Sequence, residues 1–221
     1  MSLIILEGCN SQTLDLDNID FNGNPHFEKL KISKVEQQKG HWVLDQSKND
    51  VGLALSGTES SVQYTLITPD ELAQITFNNL PLDDIGAKLA TYKDKFAFAR
   101  LSVDKSKTFD LYNHLKQKLG KPDQTFDSLA YDKNNTEVKL LETNLKGDIK
   151  IGKDEYDDEM VSYPYQNVWV KGNIIYQYTL VRAKNSFSNI LVIISKEAFN
   201  DKIIFGYHNP QQDPILSKYI K

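Results

Sequence analysis

The sequence predicts an α+β fold: a twisted, mainly antiparallel sheet with three or four helices and a C-terminal β meander. Near the C-terminus, runs of β-branched and aromatic residues follow one another with only turn-forming residues between them, and such residues fit a packed, pleated surface. Earlier in the chain, strand and helix signals do not alternate regularly, whereas a doubly wound parallel sheet requires regular alternation. The runs that predict the meander are Asn167–Val170, Asn173–Arg182 and Asn189–Ser195.

Composition and charge exclude several classes of protein. The chain has 221 residues, of which 40% are hydrophobic and 25% charged, which is the composition of an ordinary globular domain. Its formal net charge of −4 argues against a protein that gains affinity by neutralising nucleic-acid phosphates. Cys9 is the single cysteine, which excludes an internal disulfide framework and a zinc site built from several cysteines. No apolar run approaches the ~18 residues that span a bilayer.

Short strand signals occupy much of the first half of the chain. Side chains alternate in character over Phe27–Val35, which predicts an edge strand. Ser56–Glu59 combines small polar residues with a glycine and is predicted as the loop of a hairpin. The further predicted strands are Trp42–Leu44, Gly52–Leu55, Val62–Ile67 and Phe96–Val103.

A complete helix start precedes the middle of the chain. Thr68 is placed as the N-cap, Pro69 as the first helical residue, and Glu71 as the residue that closes a capping box. The predicted helix turns Ile75 inward and ends at Asn78.

Three further helices are predicted from apolar residues at helical spacing. The second of them has a capping threonine before it, and a glycine and a proline after it. The ranges are Leu82–Tyr92, Phe109–Leu119 and Glu137–Lys146, and the last of these also fits a strand.

Two organisations of the chain fit these signals. Residues 1–26 are rich in asparagine, aspartate and turn-formers and are predicted as a tether, with residues 27–221 as a single α+β domain. The tetrapeptide Gln-Tyr-Thr-Leu occurs at residues 63–66 and 177–180, each time after a Trp-Val pair. Either two related halves meet near residues 104–107, or the repetition is a coincidence of common strand residues.

The N-terminal tetrapeptide Leu6-Glu7-Gly8-Cys9 resembles the lipobox of bacterial lipoproteins. In that class a leucine and a glycine precede a cysteine that receives diacylglycerol, and a polar tether follows, as Asn-Ser-Gln does in this chain. Glu7 departs from the pattern, and the apolar stretch before Cys9 is shorter than the ~7–15 residues of a signal sequence. The resemblance implies that Cys9 is lipidated and that the protein lies in the cell envelope, at the periplasm or surface. The alternative is a half-buried cysteine in a cytoplasmic protein.

No motif in the sequence indicates catalysis, a cofactor or a metal. The chain contains no Gly-x-Ser-x-Gly elbow, no phosphate-binding glycine loop and no His-Glu-x-x-His zinc motif. Two acidic stretches, Asp15–Gly23 and Asp154–Glu159, lack the ligand spacing of a calcium loop and are interpreted as solvated loops.

Two small groups of residues are candidates for contacting a ligand. Tyr207, His208 and Asn209 follow an apolar strand in a turn, where functional side chains are common, although turn chemistry alone also accounts for them. Tyr165, which follows Pro164, and Trp169 are the better candidates among the aromatic side chains for exposure and for stacking on a sugar or peptide. Large aromatic residues mostly carry burial energy, however, and a place in the core or at its edge is the favoured interpretation.

These observations lead to a hypothesis of a non-enzymatic binding or interaction protein of the bacterial cell envelope. Its partner is an unidentified protein or small ligand, and membrane contact is expected only through lipid on Cys9. One alternative is a cytoplasmic partner-blocking protein, of the kind that gives immunity to a toxin. The other is a hydrolase that combines scattered carboxylates with His208.

Overall fold

A computed structural model of the chain describes residues 13–34, 53–55, 61–131, 136–157, 159–183, 185–201 and 204–206. These residues form fourteen strands and four α-helices. The helices are α1 (Pro69–Leu72), α2 (Thr108–Leu119), α3 (Thr136–Asn144) and α4 (Lys196–Asn200). The strands are β1 (Leu14–Asp15), β2 (Ser33–Lys34), β3 (Leu53–Leu55), β4 (Ser61–Leu66), β5 (Ile75–Phe77), β6 (Leu80–Pro81), β7 (Ala87–Tyr92), β8 (Lys95–Leu101), β9 (Gln124–Tyr131), β10 (Lys150–Lys153), β11 (Glu159–Lys171), β12 (Ile174–Ala183), β13 (Ser186–Ser195) and β14 (Ile204–Gly206).

A nine-stranded antiparallel sheet dominates the molecule, which confirms the predicted α+β class. Its strand order is β10-β11-β12-β13-β8-β7-β4-β2, and β9 pairs with β11 in addition. β11, β12 and β13 are consecutive hairpin-connected strands and form the predicted C-terminal meander. Two small sheets accompany it, β1-β5-β6 and β3-β14.

Core residues cover both faces of this sheet. Along β13, Leu191 and Ile193 belong to the main core, whereas Val192 and Ile194 belong to a second cluster. Successive strand residues point to opposite faces, so the two clusters lie on opposite sides of the sheet. The main core includes apolar residues of α2 and α3, and the second includes Phe199 of α4.

The helix predicted over Leu82–Tyr92 is wrong, because its second half is β7. This strand lies between β4 and β8, and its backbone groups form hydrogen bonds with the backbone groups of both. Gly86 immediately precedes β7 with a φ of +93°, and a Cβ at that position would lie 2.8 Å from the Leu66 carbonyl oxygen. The positive φ and the close backbone approach therefore require glycine. Lys93 and Asp94, with φ values of 52° and 58°, turn β7 into β8.

The prediction of an edge strand over Phe27–Val35 is wrong for most of its length. A 3-10 helix occupies Phe27–Lys29, and only Ser33–Lys34 is a strand. The Phe27 side chain is completely buried and meets the Tyr64 ring at 5.7 Å between centroids. Burial of this ring determined the local backbone more strongly than the weak alternation of the sequence did.

The predicted helix start at Thr68 is confirmed, but the helix is shorter than expected. Thr68 and Glu71 form both hydrogen bonds of the capping box. The helix ends at Leu72, and Ile75–Phe77 pairs with Leu14–Asp15 as a strand. β-branched and aromatic residues favour this extended conformation once a partner strand is present.

One predicted hairpin is also wrong. Leu53–Leu55 pairs with Ile204–Gly206, whereas Ser61–Leu66 pairs with β2 and β7. The predicted hairpin loop and the predicted strand Trp42–Leu44 lie outside the described residues.

Residues 13–26, assigned from the sequence to a tether, are packed into the domain. Leu16 is completely buried, and the Phe21 ring meets the Phe96 ring at 4.9 Å. Asp17 is largely buried and contacts His114 at 2.9 Å and Lys118 at 2.8 Å, both on α2. This part of the segment is therefore integral to the fold.

The other two helix predictions are confirmed with small changes of boundary, as α2 and α3. α2 buries the expected apolar stripe of Leu111, Leu115 and Leu119. Within the described ranges, no helix has the length and apolar character needed to cross a membrane.

Candidate functional site

A cleft of about 730 Å³ lies where the end of α2 meets β9, β11 and the loop between α3 and β10. Pockets of ~300–1,000 Å³ are typical of small-molecule sites. Thr125 and Asp127 of β9 and Pro164 and Asn167 of β11 form its sheet side.

The helix side of the cleft depends on where α2 ends. Gly120 has a φ of 77°, and its N–H donates to the Lys116 carbonyl oxygen at 2.9 Å. Pro122 has no N–H and cannot continue the helix. The resulting turn presents Gly120, Lys121 and Pro122 to the cleft.

A β-bulge shapes the sheet side. The pairing of β9 with β11 shifts register between Pro164 and Gln166, so Tyr165 is the extra residue. Pro164 and Asn167 are three positions apart and would face opposite sides of a regular strand. The bulge lets both of them line the same cleft.

Asp148 is the centre of a polar network on the helix side. Its carboxylate accepts a hydrogen bond from the Lys116 ammonium and another, at 3.1 Å, from the Tyr112 hydroxyl. Burial, and then the negative charge of Asp148, raises the pKa of the Tyr112 phenol. This phenol therefore remains protonated at neutral pH and acts as a hydrogen-bond donor.

Lys150 and Asp127 form the second ion pair of the cleft. Their charged atoms are 3.4 Å apart, and the Lys150 side chain is 80% exposed. An exposed pair of this kind contributes only about 0–1 kcal/mol and rearranges easily.

Lys121 is the third lysine of the cleft. Its side chain has no ion-pair or hydrogen-bond partner among the residues that the structure describes. Its charge is consequently available to a ligand.

Asn167 forms a buried, incompletely bonded part of the cleft wall. The residue is 1% exposed, and its Oδ1 accepts a hydrogen bond from the Thr125 hydroxyl at 3.0 Å. Its Nδ2 has no hydrogen-bond partner within the described part of the chain. Nearly all buried polar groups in folded proteins are paired, and an unpaired one costs about 1–3 kcal/mol.

The sequence-predicted ligand residues do not gather at this cleft. Trp169 is completely buried, and its indole N–H donates to the Gly120 carbonyl oxygen, which corrects the expectation that it is exposed. Tyr165 is half-buried against the main core, and its binding role stays a prediction. Tyr207, His208, Asn209 and Cys9 lie outside the described residues.

Sequence reasoning missed Asn167 and Lys121 as site residues. Lys121 lies in the Leu-Gly-Lys-Pro segment, which was interpreted only as the end of a helix. Asn167 follows Gln166, a second polar residue that is also buried in β11, so polarity at this point of the strand did not by itself distinguish Asn167 as a site residue.

The acidic stretch near residue 154 forms local contacts. Asp154 accepts a hydrogen bond from the Tyr156 N–H at 2.9 Å, and Asp157 pairs with Lys153 at 2.8 Å. Across the described ranges, no group of three or more histidine, cysteine, aspartate or glutamate residues is arranged to hold a metal ion.

Comparison of the chain with protein-family models, with curated proteins and with solved structures finds no match. The cleft geometry is therefore the principal evidence on function.

Proposed function

We propose that this protein is a non-enzymatic binding protein of the bacterial cell envelope that takes a small polar ligand into the cleft. The observation that carries the binding role is the cleft itself, whose wall combines the polar residues Thr125 and Asn167 with Lys121, a lysine that has no ion-pair or hydrogen-bond partner in the described part of the chain. Ligand sites typically place a few such polar groups in a preformed pocket.

The other polar groups of the cleft support binding rather than chemistry. Asp148 is engaged by Lys116 and Tyr112, so its carboxylate is already occupied by hydrogen bonds within the protein. Tyr112 has a raised pKa, whereas a tyrosine that acts as a base or nucleophile must lose its proton. These groups can orient a bound ligand through hydrogen bonds.

Native mass spectrometry tests the binding role directly. We expect wild-type protein, incubated with an extract of its own cells and desalted, to retain a small molecule that the Asn167→Ala variant loses. Asn144→Ala is the matched control, because the Asn144 amide donates to the Leu140 carbonyl oxygen at 2.8 Å on α3, away from the cleft. Equal retention by wild type and Asn167→Ala, or no retention by wild type, would contradict the proposal.

The envelope location is supported by the lipobox-like residues Leu6–Cys9. The intact mass of the protein from its own cells tests it separately. A species that begins at Cys9 and carries acyl chains is expected. A species that begins at Met1 or Ser2 would contradict the location and leave the binding role unaffected.

The partner-blocking and hydrolase alternatives stay predictions from the sequence. The hydrolase alternative depends on His208, which lies outside the described residues. No observation on the described residues favours either of them.

A further inference from the structure

We infer that Asn22 is a site of spontaneous covalent modification, at which its side-chain amide is lost and its link to Gly23 is rebuilt as an isoaspartyl bond. The reactants are the Asn22 side chain, the Gly23 backbone nitrogen and water. Neither residue lines the cleft, so this site is independent of the binding function proposed for it.

Asn22 and Gly23 form the one Asn-Gly pair of the chain. Both lie in a turn, and Asn22 is exposed. Glycine has no Cβ to hinder an approach to its own nitrogen, and its backbone visits more conformations than that of other residues. The Gly23 nitrogen is therefore the least hindered nitrogen that follows an asparagine in this chain.

The hydrogen bonds of the turn leave the reacting side chain free. The Asn22 side-chain amide has no hydrogen-bond partner among the residues that the structure describes. Asp20 holds the turn, because its Oδ1 accepts from the Asn22 backbone N–H at 2.9 Å and its carbonyl oxygen accepts from the Gly23 N–H at 3.2 Å. The second bond is at the long end of the normal range, so solvent competes for the Gly23 proton.

The reaction has two steps. The Gly23 nitrogen, after loss of its proton to solvent base, attacks the Asn22 Cγ; the bond from Cγ to Nδ2 breaks, and Nδ2 takes up a proton and leaves as ammonia. The product is a cyclic succinimide, and water then cleaves one of its two bonds to the Gly23 nitrogen. Cleavage at Cγ leaves an ordinary aspartate, whereas cleavage at the main-chain carbonyl carbon leaves isoaspartate, whose backbone runs through Cβ and Cγ.

Two nearby asparagines lack the conditions that Asn22 combines. Asn18 precedes Ile19, whose branched side chain hinders the attacking nitrogen, and its Nδ2 already donates to a carboxylate at 3.1 Å. Asn24 precedes Pro25, which has no N–H to lose. We therefore expect modification of Asn22 while Asn18 and Asn24 stay intact.

Isoaspartate at this turn loosens the packing of the segment around it. The Phe21 ring lies edge-on to the Phe96 ring, 4.9 Å between centroids, and Phe27 is completely buried. The turn at Asn22 joins these two anchors, and isoaspartate inserts one additional backbone carbon between them. It also places a second negative charge beside Asp20. Close-packed interiors do not absorb such a change, so one anchor leaves its packed position.

Peptide mapping by mass spectrometry tests the modification. Purified protein is incubated at mildly alkaline pH, and portions taken over time are digested and analysed. We expect the peptide that contains Asn22 to gain the mass difference between a hydroxyl and an amino group. An isoaspartate-specific methyltransferase with a labelled methyl donor should then label the same peptide.

Gly23→Ala and Asn22→Gln are the matched variants. Gly23→Ala is expected to slow the loss of ammonia by at least about tenfold, which corresponds to a rise of about 1.4 kcal/mol in the barrier. It should fold, because Gly23 has no positive φ and the atom nearest to its Cβ is the flexible Asp20 carboxylate at 3.0 Å. Asn22→Gln keeps the amide, but attack on its longer side chain closes a larger ring, so it should stay unmodified.

Thermal unfolding tests the effect on packing. Anion exchange separates the modified protein, and the methyltransferase identifies its isoaspartyl form. We expect this form to unfold about 2–4 °C below the unmodified protein, the shift that a loss of ~1 kcal/mol produces in a chain of this length. Asn22→Asp is the control, because it adds the charge without the additional backbone carbon, and it should unfold close to wild type.

Several outcomes would overturn the assignment of Asn22. They are a lack of mass gain over the whole incubation, a mass gain without methyl labelling, modification of Asn18 or Asn24 at the same rate, and equal rates in wild type and Gly23→Ala. An isoaspartyl form that unfolds at the same temperature as Asn22→Asp would overturn the effect on packing.

Discussion

The indole N–H of Trp169 donates a hydrogen bond to the carbonyl oxygen of Gly120, and the two atoms are 2.8 Å apart. This bond joins the end of α2 to β11, the two elements between which the cleft lies. It also satisfies a carbonyl group that the helix cannot satisfy itself after its last turn. The most buried aromatic residue of β11 thus positions the cleft without lining it.

Replacement of Trp169 by phenylalanine should destabilise the fold. The variant leaves the Gly120 carbonyl without its donor and removes buried ring volume, so a loss of about 2–3 kcal/mol in the free energy of unfolding is expected. Urea denaturation followed by circular dichroism measures it. Tyr165→Phe is the control, because the Tyr165 hydroxyl has no hydrogen-bond partner in the described part of the chain. The free energy of unfolding of this variant should stay within about 0.5 kcal/mol of wild type. Equal stabilities of the two variants would show that the Trp169 bond is unimportant.

Glu71 should make the stability of the protein depend on pH in the acid range. Hydrogen bonds from Ser33, and from the backbone N–H groups of Ile67 and Thr68, lower the pKa of Glu71 from 4.5 to about 2. A carboxylate whose pKa is lower in the folded state stabilises the fold above its unfolded pKa, and this contribution is lost as pH falls through the folded pKa.

Glu71→Gln is therefore expected to cost about 2 kcal/mol at pH 7, because one charged acceptor of several hydrogen bonds is lost. The difference from wild type should shrink as pH falls from about 4.5 towards 2. Urea denaturation at a series of pH values measures this difference. The exposed neighbour Asp70 provides the control Asp70→Asn, for which we expect a small effect. A difference between wild type and Glu71→Gln that is independent of pH would contradict the assignment.

Asn189 should be among the polar residues whose loss is most damaging. It is completely buried, its Oδ1 accepts from the Val103 N–H at 2.9 Å, and its Nδ2 donates to the Val103 carbonyl oxygen at 3.0 Å and the Thr108 hydroxyl at 2.9 Å. Asn189→Ala leaves these groups unpaired and is expected to cost about 3 kcal/mol. Thermal and urea unfolding measure the loss. Ser188→Ala, at the preceding position of β13, is the control and should leave the stability nearly unchanged. A similar loss of stability in this control would mean that β13 tolerates no substitution here, and that the hydrogen bonds of Asn189 are not the cause.

Asn167 should behave in the opposite way. Its Nδ2 is buried and unpaired, so Asn167→Val removes a polar group that destabilises the free protein. Valine also favours strands, and we expect a gain of about 1 kcal/mol in the ligand-free protein, together with loss of ligand retention. Urea denaturation of protein refolded without ligand measures the gain. Destabilisation comparable to that of Asn189→Ala would mean that the Asn167 amide is satisfied in the fold.

Gly86 should not tolerate a side chain. Its φ of +93° and the 2.8 Å approach of a Cβ to the Leu66 carbonyl oxygen predict a loss of about 2 kcal/mol or more for Gly86→Ala. Gly152→Ala is the matched control, because the nearest atom to a Cβ there is the flexible end of Met160 at 3.7 Å. Thermal unfolding distinguishes the two, and equal stabilities would contradict the strain at Gly86.

Local sequence signals were sufficient where a segment carries its own stabilising groups. Thr68 and Glu71 form the capping box that their spacing predicts, and α2 extends to Leu119, as its apolar stripe and following glycine indicate. The meander strands were predictable because their β-branched and aromatic residues suit no other packed structure.

Local signals failed where partner strands decided the conformation. Ile85 and Leu89 have the i, i+4 spacing of a helix, yet Ile85 is 62% exposed and Leu89 is completely buried in a strand. Backbone hydrogen bonds with β4 and β8 outweigh the helical preference of this segment. Such bonds depend on segments distant in the chain, which periodicity does not reveal.

The sequence by itself determined the α+β class, the C-terminal meander and the helices whose caps and apolar stripes are local. Only the tertiary structure decided which strands pair, that residues 13–26 belong to the domain, and where the cleft lies. Lys121 and Asn167 both line the cleft because α2 ends at Gly120 and β11 bulges at Tyr165. Neither feature alone forms a site. Their proximity arises from packing between distant parts of the chain, and side-chain packing is specified by the whole fold rather than by neighbours in sequence.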